Sequence, residues 1–302
     1  MSPDSALKTV LERAITERAG DGEAVAWSRL GNGVGGTCWR ARSGRTSWFV
    51  KSTADNPDML SAEADGLAAL ASCHAVRVPQ VLAAGKCEDS GYLIMEWLDF
   101  DRAADPATAA RRLGAALARQ HRCSADHFGW ARHNFIGSTP QFNTCCDGWL
   151  TFFRDHRLGF QLRLAAENGY RGELQLLGAR LMAQVPVLFS GHSPAPSLLH
   201  GDLWGGNWGV LKNGEPVVFD PAVYYGDREA DIAMTELFGG FPPEFYAAYN
   251  DAWPLDPGYE IRRDFYNLYH LLNHLNLFGG AYENQALMVM QRLLASASRP
   301  RF

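Results

Sequence analysis

The sequence lacks three features that would each have pointed to a particular class of protein. No stretch approaches the ~18 apolar residues of a membrane-spanning helix, and Asp4 and Glu12 lie where a signal peptide needs an apolar core. Runs of like charge are absent and the net charge is −5, so nothing indicates nucleic acid as a partner. No two cysteines form a C-x-x-C pair, which argues against a zinc site or a disulfide framework. These absences predict a cytoplasmic protein that binds no membrane, with all its cysteines reduced: Cys38, Cys73, Cys87, Cys123, Cys145 and Cys146.

The sequence does contain enough apolar material for a sizeable core, since 47% of its 302 residues are hydrophobic. An amphipathic helix is predicted over residues 5–19, and short apolar runs separated by turns then predict a series of strands. Beyond residue 98 the apolar spacing becomes mostly helical. We therefore predict an α+β fold with a β-rich N-terminal lobe over residues 1–98 and a larger helical lobe over residues 99–302.

A glycine cluster separates two predicted strands, over residues 25–30 and 37–42. Gly33, Gly35 and Gly36 would let backbone N–H groups come close to a bound phosphate. The spacing is not G-x-G-x-x-G followed by a helix, so a dinucleotide-binding fold is not expected.

Lys51 ends the next predicted strand, which is how protein kinases present a lysine to the α- and β-phosphates of ATP. Its expected partner is a carboxylate on the following helix, predicted over residues 57–73. Glu63 is preferred to Asp65 because small and apolar residues surround it in the sequence. After two more predicted strands, a connector between the lobes would offer backbone groups to an adenine at Glu96, Trp97 and Leu98.

Residues 198–231 gather two carboxylates and one amide. Asp202 follows one short apolar run, Asp220 follows another, and Asn207 lies between them. A hairpin that turns at Asn213-Gly214 would bring Asp220 back towards Asn207. Such oxygen ligands suit Mg²⁺, and the matching chemistry is phosphoryl transfer. One aspartate would orient the attacking hydroxyl, while the asparagine and the second aspartate hold the metal.

Three further segments belong to the predicted helical lobe. Residues 134–143 show no clean period and carry many polar groups, which predicts an ordered loop of the kind that often makes substrate contacts. Residues 149–166 and 259–278 have the spacing of amphipathic helices. His270 and His274 lie four residues apart on the second of these helices. Because no H-E-x-x-H arrangement is present, packing is expected for them rather than metal binding.

With these residues in view, the chain resembles the fructosamine kinase (ketosamine-3-kinase) family, within the kinase-like fold shared with aminoglycoside phosphotransferases. The resemblance covers nearly the whole chain. Its strongest blocks are FVK at 49–51, HGDLWGGNWG at 200–209 and FDPAVYYGDREADIAM at 219–234. Two more blocks narrow it to fructosamine kinases: NFIGSTPQFN at 134–143 and DGWLTFFRDHRL at 147–158.

The resemblance implies a bilobal, protein-kinase-like fold and a kinase that uses ATP and Mg²⁺. Asp202 would be the catalytic base that accepts the proton of a sugar hydroxyl, and Asn207 and Asp220 would hold Mg²⁺. Lys51, paired with Glu63, would contact the α- and β-phosphates. Asp227 and Asp231 would be structural supports of the active-site loop, and the candidates on the substrate side would be Trp204, Asn134 and Gln141.

The implied reaction is transfer of the γ-phosphoryl group of ATP to a sugar hydroxyl of a ketosamine, a repair reaction for glycated amines. The substrate would be a free glycated amine or a glycated lysine on a protein, and a monomer is favoured. An alternative is an aminoglycoside or other amino-alcohol phosphotransferase. Its acidic cleft for a cationic substrate could come from Asp99, Asp101, Asp105, Asp126, Asp147 and Glu244.

The third hypothesis is a non-catalytic, nucleotide-binding regulator with the same fold. Such a protein would be expected to have lost Lys51, Asp202 or Asp220. The sequence keeps all three residues, which favours an enzyme.

Overall fold

One five-stranded antiparallel sheet organises the N-terminal part of the chain. A computed structural model of the protein describes residues 3–20, 23–33, 36–101 and 103–298. Each strand pairs antiparallel with its neighbour in the sheet. In order across the sheet, the strands are β1 (Ala26–Gly33), β2 (Gly36–Ser43), β3 (Thr46–Thr53), β5 (Ser90–Glu96) and β4 (Val81–Cys87).

Two helices accompany this sheet, α1 (Ser5–Ala19) and α2 (Asp58–Ser72). The bounds of α1 match the predicted helix because both of its ends are capped. The Asp4 carboxylate accepts a hydrogen bond from the Leu7 N–H at 3.0 Å, and Gly20 ends the helix in the left-handed conformation at φ 68°. Its apolar face packs against the sheet in one cluster: Leu7, Leu11, Ile15, Trp39, Ala41, Val50 and Ile94.

The rest of the chain is mostly helical, as predicted. Its helices are α3 (Pro106–Gln120), α4 (Trp149–Phe152), α5 (Gly159–Glu167), α6 (Glu173–Leu188), α7 (Glu229–Leu237), α8 (Pro243–Ala252), α9 (Tyr259–Phe278) and α10 (Glu283–Ala297). Three strand pairs lie among them: β6 (Asn134–Ile136) with β7 (Thr139–Gln141), β8 (Ser197–Leu199) with β11 (Tyr224–Gly226), and β9 (Trp208–Val210) with β10 (Pro216–Val218). None of the helices in the described ranges is long and apolar enough to cross a membrane.

The division of the chain at residue 98 stays a prediction. The last strand of the large sheet ends at Glu96, and α3 begins at Pro106. A continuous apolar cluster joins the two parts, and it includes Leu60 and Leu67 of α2 together with Leu113 and Leu117 of α3.

Two segments differ from the predicted secondary structure. Residues 134–143 form a β-hairpin rather than a loop, since Asn134 pairs with Gln141 and Ile136 with Thr139 around a tight turn. The predicted helix over residues 149–166 is interrupted by a π-helical turn at Phe153–Leu158. Strands of three residues and a single inserted turn are too short to leave a period in the sequence.

The expectation that every cysteine is reduced is wrong for one pair. Cys73 and Cys123 form a disulfide, although fifty residues separate them in the sequence. Cys73 directly follows α2 and Cys123 follows α3, so the packing of these two helices brings their ends together. The sequence spacing could not show this pairing because it depends on the tertiary fold.

Candidate active site

The predicted hairpin after Asp202 forms and gathers the three predicted oxygen ligands. Strands β9 and β10 pair antiparallel, with Trp208 opposite Val218. The Phe219 N–H donates to the Asn207 carbonyl at 3.0 Å, which brings the residue before Asp220 back to Asn207. The Asn207 side-chain nitrogen donates to the Asp202 carbonyl at 2.8 Å and to the Asp202 carboxylate at 3.1 Å. Because its nitrogen faces Asp202, the amide oxygen of Asn207 is the atom that it would offer to a cation.

Asp202 is held in surroundings that disfavour its charge. Burial, and next the negative charge of Asp220, raise the pKa of Asp202 to about 7, while the hydrogen bond from Asn207 acts in the opposite direction. A carboxylate with a pKa near neutrality is suited to accept a proton, since it can be ionised before the reaction and protonated after it. A cation bound at Asp220 would cancel part of the repulsion and favour the ionised form of Asp202.

Asp231 holds the loop that carries Asp202 through hydrogen bonds to the loop backbone. The Asp231 carboxylate accepts hydrogen bonds from the His200 N–H at 2.7 Å and the Gly201 N–H at 2.8 Å. It also lies 3.1 Å from the Nε2 atom of His121, a fully buried histidine on the opposite side. Asp231 therefore satisfies two backbone donors of the loop, as expected of a structural support.

Asp227 supports the next part of the chain in a similar way. Its carboxylate accepts hydrogen bonds from the Glu229 N–H at 3.0 Å and from the Tyr266 hydroxyl, and it lies 2.6 Å from His192 Nε2. Both carboxylates are buried and bonded to the protein. The structure thus places Asp227 and Asp231 behind the site rather than in it.

Lys51 contacts two carboxylates that come from different parts of the chain. Its ammonium lies 2.7 Å and 2.9 Å from the two Glu63 oxygens and 2.8 Å from the Asp220 carboxylate. Burial alone would disfavour the charged ammonium, but these two carboxylates outweigh it and raise the pKa of Lys51. The competing partner Asp65 instead pairs with Arg132 near the surface. The structure therefore brings Lys51 and Glu63 together as predicted.

A cavity of about 370 Å³ opens in front of these groups. Lys51, Glu63, Asp202, Asn207 and Asp220 all lie on its wall. The Asp220 side chain is 45% exposed, and carboxylate and amide oxygens around a solvent-filled space suit a hard divalent cation that keeps some of its waters. The residues present therefore fit Mg²⁺.

The glycine hairpin covers one end of the cavity through Gly33 and Gly36. Gly36 has φ 123°, and a Cβ atom there would lie 2.2 Å from the Ser52 carbonyl oxygen of the neighbouring strand. Only glycine fits at that position. Gly35, the third predicted phosphate glycine, lies outside the described residues.

The predicted adenine connector lies apart from this cavity. The Glu96 N–H already donates to the Gln80 carbonyl at 2.9 Å, and its carboxylate pairs with Arg77. The Trp97 ring lies under the Arg40 guanidinium at 4.3 Å. The adenine contacts of Glu96, Trp97 and Leu98 stay a prediction.

Trp204 and the hairpin at Asn134 form the wall of the cavity that is predicted to face the acceptor. Trp204 is 39% exposed, and its ring lies over Gly206, where a Cβ atom would collide with it at 2.4 Å. Asn134 lines the cavity, but its side chain is held by the protein. Its nitrogen donates to the Val223 carbonyl at 2.7 Å, and its oxygen accepts from Gln141 at 2.8 Å.

Gln141 lies behind this wall and does not line the cavity. Its amide nitrogen also donates to the Ala222 carbonyl at 3.0 Å, and its oxygen accepts from the Tyr269 hydroxyl at 2.8 Å. The side chain is fully engaged and buried. The sequence analysis placed Gln141 on the substrate side. In the structure its side chain lies behind the wall and holds the wall in position.

Arg157 is a residue of the site region that the sequence did not single out. It is completely buried on the π-helical turn, and no carboxylate forms an ion pair with it among the described residues. Its guanidinium donates to the Phe142 carbonyl at 2.6 Å and to the Asn143 side-chain oxygen at 2.7 Å, and it lies 4.1 Å from the Tyr224 ring. Asn143 in turn donates to Asn134, so Arg157 holds the acceptor wall through one intermediate. In a sequence, a buried arginine within a predicted helix cannot be distinguished from an arginine on the helix surface. The sequence therefore gave no reason to select Arg157.

Comparison with known proteins agrees with this geometry. Residues 8–296 match the family model described as fructosamine kinase. A probable ketoamine kinase of Synechocystis sp. is 45% identical over 253 residues, which cover 83% of this chain and 84% of that protein. A crystal structure of a protein described as a fructosamine-3-kinase from Haemophilus somnus superposes with a TM-score of 0.85 at 29% identity, over 94% of this chain and 96% of the other.

A more distant likeness concerns the fold alone. An aminoglycoside phosphotransferase matches with a TM-score of 0.64 at 14% identity, over 96% of this chain and the whole of the other. The predicted α+β, kinase-like fold is thereby confirmed. With a family model that spans nearly all of its length, the chain belongs to the fructosamine kinase family and is a phosphotransferase.

Proposed function

We propose that the protein transfers the γ-phosphoryl group of ATP to a sugar hydroxyl of a ketosamine, such as a fructosamine or ribulosamine, and so takes part in the repair of glycated amines. The observation that carries this proposal is the placement of Asp202. Its carboxyl group, with a pKa of about 7, lies on one cavity wall together with Lys51, Asn207 and Asp220. Family membership supports the same reaction class.

Each charged group has a role in this reaction. Asp202 accepts the proton of the attacking hydroxyl and orients it towards the phosphorus atom. Asn207 and Asp220 would hold Mg²⁺, and the chemistry that this ion would supply is neutralisation of charge on the phosphate oxygens. Lys51, kept in place by Glu63, binds the α- and β-phosphates, and the backbone of Gly33 and Gly36 lies over them. The adenine is bound by the backbone of Glu96, Trp97 and Leu98.

On the acceptor side, Trp204 walls the sugar. Asn134 contributes to the shape of the pocket, and Gln141 holds Asn134 in position. Because these side-chain amides are bonded to the protein, we assign recognition of the sugar to the shape of the wall and to Trp204 more than to free amide groups.

The test is a coupled assay of ADP release with purified protein, Mg²⁺ and ATP. The acceptors are fructosamines, ribulosamines, erythrulosamines, aminoglycosides and simple amino alcohols. We expect turnover with at least one ketosamine, and mass spectrometry should show a phosphorylated sugar. Turnover with aminoglycosides and none with ketosamines would refute the proposal, and tight ATP binding without any turnover would indicate the non-catalytic regulator.

The aminoglycoside alternative relied on an acidic cleft for a cationic substrate, and the residues that line the cavity do not favour such a cleft. The carboxylates on the cavity wall, among the described residues, are Glu63, Asp202 and Asp220, and all three belong to the nucleotide and metal side. The acidic residues that could have formed a cleft for a polycation do not line this cavity: Asp99, Asp101, Asp105, Asp126, Asp147 and Glu244.

We further propose a monomeric, cytoplasmic enzyme that acts on free glycated amines or on glycated lysines of proteins. A cytoplasmic location supplies ATP, which the proposed reaction consumes. In the cytoplasm, cellular thiols such as glutathione would act on the Cys73–Cys123 disulfide as reductants. Size-exclusion chromatography with light scattering tests the oligomeric state, and cell fractionation tests the location.

A further inference from the structure

A line of aromatic rings leads from the cavity to the protein surface. Trp204 lines the cavity, and its ring meets Phe238 edge-on at 6.3 Å. Phe238 lies 4.7 Å from the His274 ring, and His274 lies 5.4 Å from Phe278 and 5.1 Å from Tyr282. We call these five residues the aromatic track. It joins the loop after Asp202 to the C-terminal end of α9.

Most of the track is not explained by the packing of the core. Trp204, Phe238 and Phe278 belong to none of the buried clusters formed by the described residues, whereas Tyr282 packs at the edge of one of them. Phe278 is 56% exposed at the last residue of α9. Phe238, His274 and Tyr282 are partly buried between the exposed Trp204 and Phe278. Scattered exposed apolar residues are normal, but a connected line of rings that begins in a cavity and ends exposed is typical of a binding site.

The track is also uncharged near neutral pH. Burial lowers the pKa of His274, whose Nδ1 atom hydrogen-bonds to the His270 carbonyl at 2.8 Å. The neighbouring His270 is buried as well, and burial lowers its pKa to about 3. Both rings are therefore neutral, so the track offers apolar and aromatic surface rather than charge.

The proposed reaction fixes where the track lies relative to a substrate. If a sugar hydroxyl meets Asp202, the phosphates occupy the side of Lys51 and Asp220. Trp204 is an exposed aromatic side chain on the described cavity wall, and we place the amine-bearing end of the sugar beside it. A ketosamine nitrogen is protonated at neutral pH, and a cation within about 6 Å of a tryptophan face is attracted to it. A group attached to that nitrogen then meets Phe238 first, and a longer group extends past His274 to Phe278.

We propose that the aromatic track binds the group carried by the ketosamine nitrogen, and that the enzyme prefers carriers with an aromatic or long aliphatic group next to the amine. This inference rests on the proposed ketosamine kinase function and adds the carrier to it. The sugar is selected in the cavity, and the carrier is selected on the track.

The test compares two substrates that differ only in their carrier: the fructosamine of benzylamine and the fructosamine of ethanolamine. Burial of one phenyl ring on the track should lower KM for the benzylamine derivative roughly ten-fold relative to the ethanolamine derivative. In a Phe238→Ala variant the difference in KM should shrink to about two-fold or less. Leu176→Ala, which removes a side chain that is 62% exposed on α6, is the matched control and should keep the full difference.

The outcomes separate this inference from the function on which it rests. Equal KM values for both carriers in the unaltered enzyme would overturn the role of the track while leaving the ketosamine kinase intact. An equal rise in KM for both carriers in Phe238→Ala would show a merely structural role and would also overturn it. If neither fructosamine, nor any other ketosamine, is phosphorylated, both proposals fall.

Discussion

The two sides of the cavity are built from different chemistry. On the nucleotide side, Lys51 lies between the carboxylates of Glu63 and Asp220. These three charged groups come from strand β3, helix α2 and the segment after β10. On the acceptor side, Asn134 is held by neutral amides, and Arg157 is buried among aromatic rings with no acidic partner in the described ranges. Phosphate is a small, highly charged ligand that a few point charges can bind, whereas an acceptor sugar has to be recognised by shape.

Asp202 lies between the two sides, and its replacement should have the largest effect. Asp202→Asn keeps the shape but removes the proton acceptor, so kcat should fall by roughly 10²–10⁴-fold. The loss should appear with every acceptor and at saturating ATP. The measurement is the steady-state rate of ADP release, with Asp126→Asn as a control at an exposed carboxylate. Retention of more than a tenth of the activity would contradict the role as base.

Lys51→Met should affect the nucleotide side alone. Loss of one charge-assisted contact to phosphate is worth about 1.5–3 kcal/mol, so KM for ATP should rise roughly 10–100-fold. KM for the ketosamine should stay within about two-fold, because the acceptor wall is built without Lys51. Lys86→Met, on the edge strand of the same sheet, is the control. A parallel rise of both KM values would show that the two sides are not independent.

Arg157→Met should act on the acceptor side. The Phe142 carbonyl and the Asn143 side chain would each lose a donor in a buried place, at a cost of roughly 2 kcal/mol in the free energy of unfolding. KM for the ketosamine should rise several-fold while KM for ATP holds, since the hairpin at Asn134 would loosen. Arg157→Lys should rescue only part of this, because an ammonium cannot reproduce the planar pair of donors. Arg163→Met, at an exposed arginine on α5, should change neither value.

The smallest expected effect is a change in thermal stability with pH. In the folded protein the pKa of Asp202 is raised to about 7 from an ordinary value of 3.8, so its ionisation opposes folding. The resulting loss in the free energy of unfolding is absent below pH 4, grows as the pH rises to 7, and stays constant above pH 7. Without nucleotide or Mg²⁺, Asp202→Asn should melt a few degrees above the unaltered protein at pH 8 and together with it near pH 4. Equal melting temperatures at pH 8 would show that Asp202 is not destabilised by burial.

The sequence predicted the features that depend on residues close together in the chain. The hairpin at Asn213-Gly214 and the capped helix over residues 5–19 depend on neighbours a few residues away, and both were predicted correctly. The pairing of Lys51 with Glu63 also followed, because a strand end and the next helix leave few candidates.

What could not be predicted depends on distant parts of the chain. The hairpin at residues 134–143 is held by Val223, Ala222 and Tyr269, each about eighty residues or more away in the sequence. The burial of Arg157 requires an inserted turn that no local period reveals. The disulfide depends on where two helices end in space. In each case the local pattern is compatible with several environments, and tertiary packing selects one of them.

Gly201 has a consequence for how such an enzyme can be controlled. Protein kinases carry an arginine after the loop histidine, and phosphorylated activation loops are ordered through arginine contacts of this kind. Here a Cβ atom at position 201 would lie 2.0 Å from the Ala222 carbonyl oxygen, so no side chain fits. Asp231 instead binds the loop directly through two backbone N–H groups. An arginine at this position, and the contact that it could make to a phosphorylated loop, are therefore excluded.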